Sequence, residues 1–308
     1  MSDITATTSA VPIARNRVRR VTESARAYFL LTKPRVIELL LVTTLPAMIL
    51  ADGGLPPIDL IVFVLVGGGL AAGGANTINC WIERDRDQMM RRTRLRPLPA
   101  GDVKPTRALV FGLALEVVAF ALLWATANLL AAALAVGAML FYVFVYTIWL
   151  KPRSAQNIVI GGAAGAVPAL VGWAAVTGSL ALPAWVLFAL VFFWTPPHFW
   201  ALALRYRDDY AAAGIPMLPV VKGVAVASRQ ILAYSFVVVA VSLVLPLTTS
   251  MTPLYPIAAV ALGAMLVYGA ERLRRDPTPE RAIKLFTFSN TYLALLFATV
   301  AIDTLIAA

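Results

Sequence analysis

The chain is poor in charge, in cysteine and in histidine, and each shortage narrows what it can be. Only 14% of its 308 residues are charged, while 60% are hydrophobic. A soluble domain of this length cannot hide that much apolar surface. A bilayer can, because a spanning helix needs about 20 mostly apolar residues. A single cysteine, Cys80, excludes an intrachain disulfide and reads as a small interfacial residue rather than a nucleophile. The apolar runs lack the alternation of barrel strands, so the fold class is an all-α integral membrane protein. The region before the first long apolar run also lacks the short apolar core and small-residue cleavage site of a secretory signal. Residues 1–26 are polar with five arginines. They read as a cytoplasmic tail, with an organellar transit peptide as the other reading. A single transmembrane domain is expected over 27–308.

Nine apolar segments are present, near 35–51, 58–80, 107–126, 129–149, 157–176, 184–204, 229–248, 254–271 and 286–306. Alternate connections ("ADGGLPPID", "TAN", "VTGSLALP", "TTSMTPLYP") contain no lysine or arginine. All 26 basic residues fall in the tail and the other connections. The positive-inside rule therefore places that face and the N-terminus in the cytoplasm, and the C-terminus outside. The net charge of +10 is explained by topology, so no nucleic acid is needed to account for it. Small residues crowd "GGGLAAGGAN" (67–76) and "GGAAGAVPALVGW" (161–173). They suit close helix packing and also leave room for a bulky ligand.

The stretch "NTINCWIERDRDQMMRRTRLRPLP" (76–99) breaks the pattern. On a helix, Asn76, Asn79, Glu83 and Asp87 form one stripe, and Asp85 lies opposite. Two carboxylates with amide oxygens above them suit a hard cation such as Mg²⁺. A solvated helix end, with Asp87 paired to Arg91 at i+4, fits that spacing too. A second cluster shifts the balance. "WTPPHFWALALRYRDDYAAAGIPMLPVVKG" (194–223) closes the sixth segment on the same face with Arg205, Arg207, Asp208, Asp209 and Lys222. Two facing carboxylate groups can hold metal ions against a diphosphate, and nearby bases can neutralise the remaining phosphate charge.

These segments, with "LTKPRVIELLLVTT" (31–44) and "YTIWLKPRSAQNIVIGGAAGAVPALVGWAAVTG" (146–178), resemble the intramembrane (ubiquinone-type) prenyltransferase superfamily. Within it they are most similar to the haem O synthase branch. The resemblance implies nine helices around a central cavity open to the cytoplasmic side of a bacterial inner membrane. It implies Mg²⁺-dependent transfer of farnesyl from farnesyl diphosphate to a vinyl group of haem B. A downstream haem-modifying or oxidase-assembly protein is an expected partner. By position, Asn79, Glu83 and Asp87 take the first motif's metal and diphosphate roles, and Asp208 and Asp209 fall in the second. Tyr146, Lys151 and Arg153 match the segment expected near the diphosphate. Arg91, Arg94, Arg205, Arg207 and Lys222 are the accompanying bases. Two positions depart from the pattern: Glu83 stands where the family usually has Asp, and Arg207 where it often has Lys.

Passing carbocations can be stabilised by aromatic faces, and Trp81, Tyr146, Trp149, Trp194, Phe199 and Trp200 are candidates alongside a membrane-interface role. His198, the one histidine, reads either as a hydrogen-bonded residue beside a Pro-induced break or as a haem ligand or proton acceptor. Trp200 joins it as a haem-contact candidate. Lys33 and Arg35 fit haem propionates or topology equally well. Glu38 reads as a partner of either base. Glu116 lies deep in an apolar segment without an assigned role. The rival readings are another prenyl acceptor, such as a quinone precursor or other tetrapyrrole, a secondary transporter, and a haem chaperone without catalysis.

Overall fold

Proline starts many of the helices, since a first-turn position needs no N–H donor. In the computed structural model, which describes residues 23–308, no strand occurs among the described residues. A short helix, α1, covers 23–31. It is followed by α2 (Pro34–Asp52), α3 (Ile58–Met89), α4 (Pro105–Thr126) and α5 (Leu129–Leu140). A π-helix, Phe141–Leu150, continues α5 without a break. Then come α6 (Asn157–Thr177), α7 (Leu182–Arg205), the short α8 (Arg207–Ala212) and α9 (Leu218–Val221), α10 (Val224–Ser242), α11 (Leu254–Arg275) and α12 (Pro279–Ala307). Nine of the described helices are long and apolar enough to cross a membrane, as expected.

Consecutive spans pack on one another in chain order, and α12 returns to α2 to close the ring. Within it α2 also lies on α6, and α7 on α12. The core is aromatic and aliphatic: Trp200, Tyr255, Tyr292 and Phe297 are fully buried. The outward face is as apolar as the core, with Val110, Val117, Ile257 and Leu305 exposed. In water such a surface would aggregate, but against lipid tails it costs nothing.

Three differences from the sequence reading matter. First, the apolar segment near 58–80 and the helix that carries the acid stripe form one continuous helix, which ends at Met89. Second, α7 is unbroken through Pro196 and Pro197, so no break accompanies His198. Third, residues 23–26 belong to α1 rather than to a free tail; the remainder of that tail, 1–22, lies outside the described residues.

The small residues serve close packing. A Cβ on Gly74 would stand 2.8 Å from the Gly112 carbonyl oxygen, which is how α3 and α4 touch backbone to backbone. A Cβ on Gly161 would collide with the ring of Tyr146, so this glycine holds the π-helix against α6.

Candidate active site

The expected stripe is present and buried. Asn76, Asn79, Glu83 and Asp87 are each at most 5% exposed. Asp85, one step round the helix, points outward beside Arg84. Burying two carboxylates is costly unless cations and hydrogen bonds offset the lost hydration. The chain supplies both. Lys151 Nζ lies 2.6 Å from Glu83 Oε2 and 2.5 Å from Oε1, of which only the first has hydrogen-bond geometry. Arg96 Nη1 donates to Asp87 Oδ2 at 2.8 Å. The anticipated Asp87–Arg91 pair does not form. α3 ends at Met89, so Arg91 leaves the helical register and is exposed. Thr93 Oγ1 instead donates to the Asp87 carbonyl, and the turn that follows swings Arg96 back over the carboxylate.

The amides of the stripe position other elements. Asn76 Nδ2 donates to the Thr32 carbonyl. Asn79 accepts from Lys33 Nζ at 2.7 Å and donates to Thr147 Oγ1 at 3.0 Å. Thr147 in turn donates to the Tyr142 carbonyl five residues back. That bond, and Lys151 N–H to the Tyr146 carbonyl, keep the helix in its wide π form. Such π turns are frequent at functional sites. Here the π turn stacks Tyr142 on Tyr146 at 5.5 Å and brings Lys151 Nζ to 5.8 Å from the Tyr146 ring.

Outside the spans, pKa directions follow from these contacts. Burial opposes the charge on Lys151, but the Glu83 carboxylate more than offsets it and holds the ammonium above its ordinary range. For Arg96 burial is likewise outweighed, by Asp87. Lys33 is pushed below the usual lysine range by burial, and no carboxylate pairs with it.

The second motif is placed differently. Asp208 is exposed and Asp209 half-buried on α8, and neither forms an ion pair among the described residues. Their neighbour Tyr210 ties α8 to the first motif. Arg92 Nη2 donates to Tyr210 Oη at 3.3 Å and lies over the rings of Tyr206 and Tyr210. Tyr210 also packs with Met90, Ile158 and Ala203. The two motifs thus share one end of the bundle. Among the described residues, however, no three Asp, Glu, His or Cys side chains converge as a preformed metal cage. Arg94, Arg205, Arg207 and Lys222 are exposed at the same end. Arg153 is exposed too, and its guanidinium caps the carbonyls of Ile148 and Trp149.

The haem candidates are not brought together. His198 is buried between the rings of Trp194 and Phe286, stacked at 4.2 and 4.4 Å. Its Nδ1 lies 2.7 Å from Ser289 Oγ, and that hydroxyl donates to the Phe286 carbonyl. The shared serine proton therefore makes Nδ1 the donor and leaves the lone pair on Nε2. Trp200 turns the other way, edge-on to Tyr234 of α10, with its indole N–H unpartnered. Arg35 is exposed at the start of α2. Trp149 is 59% exposed on the outer face, as an interface residue would be. Glu38 is exposed, and neither Lys33 nor Arg35 pairs with it. Glu116 is buried against Gly74 with no side-chain hydrogen bond.

Sequence reasoning missed Arg96, Thr147, Arg92 and Ser289 as members of the site. Thr147 had a signal, as a lone hydroxyl in "FYVFVYTIWL". Arg96 had none, being one of the eight bases from Arg84 to Arg107 counted as topology.

Residues 40–296 match the family model described as the UbiA prenyltransferase family. The chain belongs to the UbiA prenyltransferase family. A curated relative from Frankia casuarinae, named protoheme IX farnesyltransferase, is 53% identical over 92% of this chain and 99% of its own. One of the same name from Mycolicibacterium smegmatis is 51% identical over 94% of each. Among solved structures, digeranylgeranylglyceryl phosphate synthase superposes with a TM-score of 0.76 at 18% identity, covering 92% of this chain and 99% of the other. A UbiA homologue from Archaeoglobus fulgidus bound to DMAPP and Mg²⁺ gives 0.63 at 17%, covering 89% and 99%. These two structures share the UbiA fold with this chain.

Proposed function

We propose that this chain is a haem O synthase. It transfers the farnesyl group of farnesyl diphosphate to a vinyl group of haem B. The allylic C–O bond breaks and diphosphate leaves. A C–C bond forms to the vinyl carbon, water adds its hydroxyl to the resulting cation, and one proton is released. The full-length relatives named for this reaction support the substrates. The observation that carries the reading is the buried stripe of Glu83 and Asp87, flanked by Lys33, Lys151 and Arg96.

The residues suit a divalent cation. They are hard oxygen donors, Asp87 keeps one carboxylate oxygen outside its pair with Arg96, and Asp208 and Asp209 carry no ion pair among the described residues. Glu83, Asp87, Asp208 and Asp209 would hold Mg²⁺, which when bound stabilises the charge developing on the diphosphate. Lys151 and Arg96 neutralise phosphate oxygens from the protein side. Tyr146 and Tyr142 present ring faces near Lys151, where the allylic cation forms. The Nε2 lone pair of His198 serves as haem ligand or as acceptor of the released proton. The basic end faces the cytoplasm of a bacterial cell membrane, because that is where the positive residues gather.

The test is a membrane assay with haem B, farnesyl diphosphate and Mg²⁺. Extraction should yield a more hydrophobic haem, heavier by the farnesyl group and one hydroxyl. No conversion by protein that is inserted and binds haem would overturn the reading.

A further inference from the structure

Lys33 is the one non-glycine among the described residues with positive φ, at φ 55° and ψ 63°. A left-handed lysine is unfavourable, and such conformations persist only where the surroundings enforce them. Here they do. Cys80 and Asn76 both reach the backbone just before it, through the carbonyls of Leu31 and Thr32. The twist at residue 33 ends α1, begins α2 and turns the side chain inward onto Asn79. Arg35, two residues on, points out.

The charges at the site do not balance. Three cations, Lys33, Lys151 and Arg96, share the first motif with two carboxylates, Glu83 and Asp87, which leaves one positive charge over. Lys151 and Arg96 each hold a carboxylate, whereas Lys33 has only an amide oxygen. A partly buried ammonium with a neutral partner lacks the anion that would offset its lost hydration.

We propose that Lys33 is a direct ligand of the diphosphate leaving group, held by its left-handed turn to supply the charge that the carboxylates leave unmatched. This rests on the farnesyl-transfer reading and deepens it. Lys33 leaves Asn79 Oδ1 for a phosphate oxygen, and Asn79 keeps its bond to Thr147. The propionate role open to Lys33 from sequence is the competing assignment.

Three variants separate charge from backbone. Glycine and asparagine both tolerate the left-handed conformation, so Lys33→Gly and Lys33→Asn remove the charge without straining the turn. Lys33→Arg keeps the charge. The KM for farnesyl diphosphate should rise at least about tenfold in Gly and Asn, the equivalent of one lost charged contact. The KM for haem B should change less than about twofold, and Lys33→Arg should recover most of the loss. Binding gives a second readout. Thermal stabilisation of the purified protein by inorganic diphosphate with Mg²⁺ should be present in wild type and Lys33→Arg, and lost in Gly and Asn. If Lys33→Gly binds diphosphate and turns over like wild type, the proposal fails. If the haem KM rises in place of the diphosphate KM, it fails in favour of a propionate contact. If wild type converts no haem, the farnesyl-transfer reading fails instead, and the diphosphate-binding arm still decides whether Lys33 holds that anion.

Discussion

Both ends of the bundle bury carboxylates, but they satisfy them in opposite ways. At the far end Asp303 is fully buried and accepts three neutral donors: Thr252 N–H, Thr252 Oγ1 and Tyr255 N–H, each at 2.8 Å. It caps the start of α11 from α12, and its donors are two backbone N–H groups and one short hydroxyl side chain. At the basic end Glu83 and Asp87 are held by long, charged side chains, Lys151 from beyond the π-helix and Arg96 from the turn after α3. A cap of backbone donors stabilises a fold and cannot be exchanged. A lysine and an arginine can move to a phosphate and back. The kind of partner, more than burial itself, separates a structural acid from a working one.

Breaking the working end should have the largest effect. Asp87→Ala should lower farnesyl transfer by about a thousandfold or more, since it removes preorganised charge at the leaving group. Membrane insertion and thermal stability in detergent should stay near wild type, because Arg96 is partly exposed and can hydrate once freed. Near-normal turnover would remove Asp87 from the metal assignment. The far end should give the mirror result. Asp303→Asn should cost about 3 kcal/mol of stability, because a buried carboxylate loses charge-assisted bonds and its new amide N–H₂ faces donors. Turnover per folded molecule should not change; a fall in turnover without lost stability would erase the contrast between the two ends.

A smaller effect is expected at Glu83. The shorter acid is the one usual in the resembling family, and Lys151 is flexible enough to follow it. Glu83→Asp should change kcat/KM by about tenfold at most, short of the about hundredfold that an ångström-scale misplacement can cost. A larger loss would mean that the extra methylene sets the metal geometry in this chain.

How much of this was legible beforehand depends on whether the signal was periodic. The nine spans and the Asn76–Asp87 stripe follow from hydropathy and the 3.6-residue repeat, and both hold. The haem set of His198, Trp200 and Arg35 was assembled from two linear motifs, and α7 sends its first two members toward different neighbours, α12 and α10. The π-helix was invisible, because a wider turn leaves no mark on a run whose one small polar side chain is Thr147. Arg96 and Lys33 were hidden among bases that topology already explained. Their roles come from a turn after Met90 and a left-handed residue before Pro34. The turn is set locally by Thr93, and the left-handed residue is held by Asn76 and Cys80 from α3, a tertiary contact.

The smallest effect is the sharpest control. Asp85 lies two residues from Glu83 and two from Asp87, in the same acidic run, so sequence proximity alone would place it in the site. Its side chain is 79% exposed, and its one ionic contact is Arg84 at 3.8 Å. An exposed pair of that length contributes about 0–1 kcal/mol, and the guanidinium of Arg84 is already engaged with the Trp81 carbonyl. Asp85→Asn should therefore leave kcat, both KM values and stability within about twofold of wild type. If it instead abolished transfer as Asp87→Ala is expected to, the stripe would lose its meaning. The acidic run would then act as a diffuse field rather than through the two side chains that the helix turns inward.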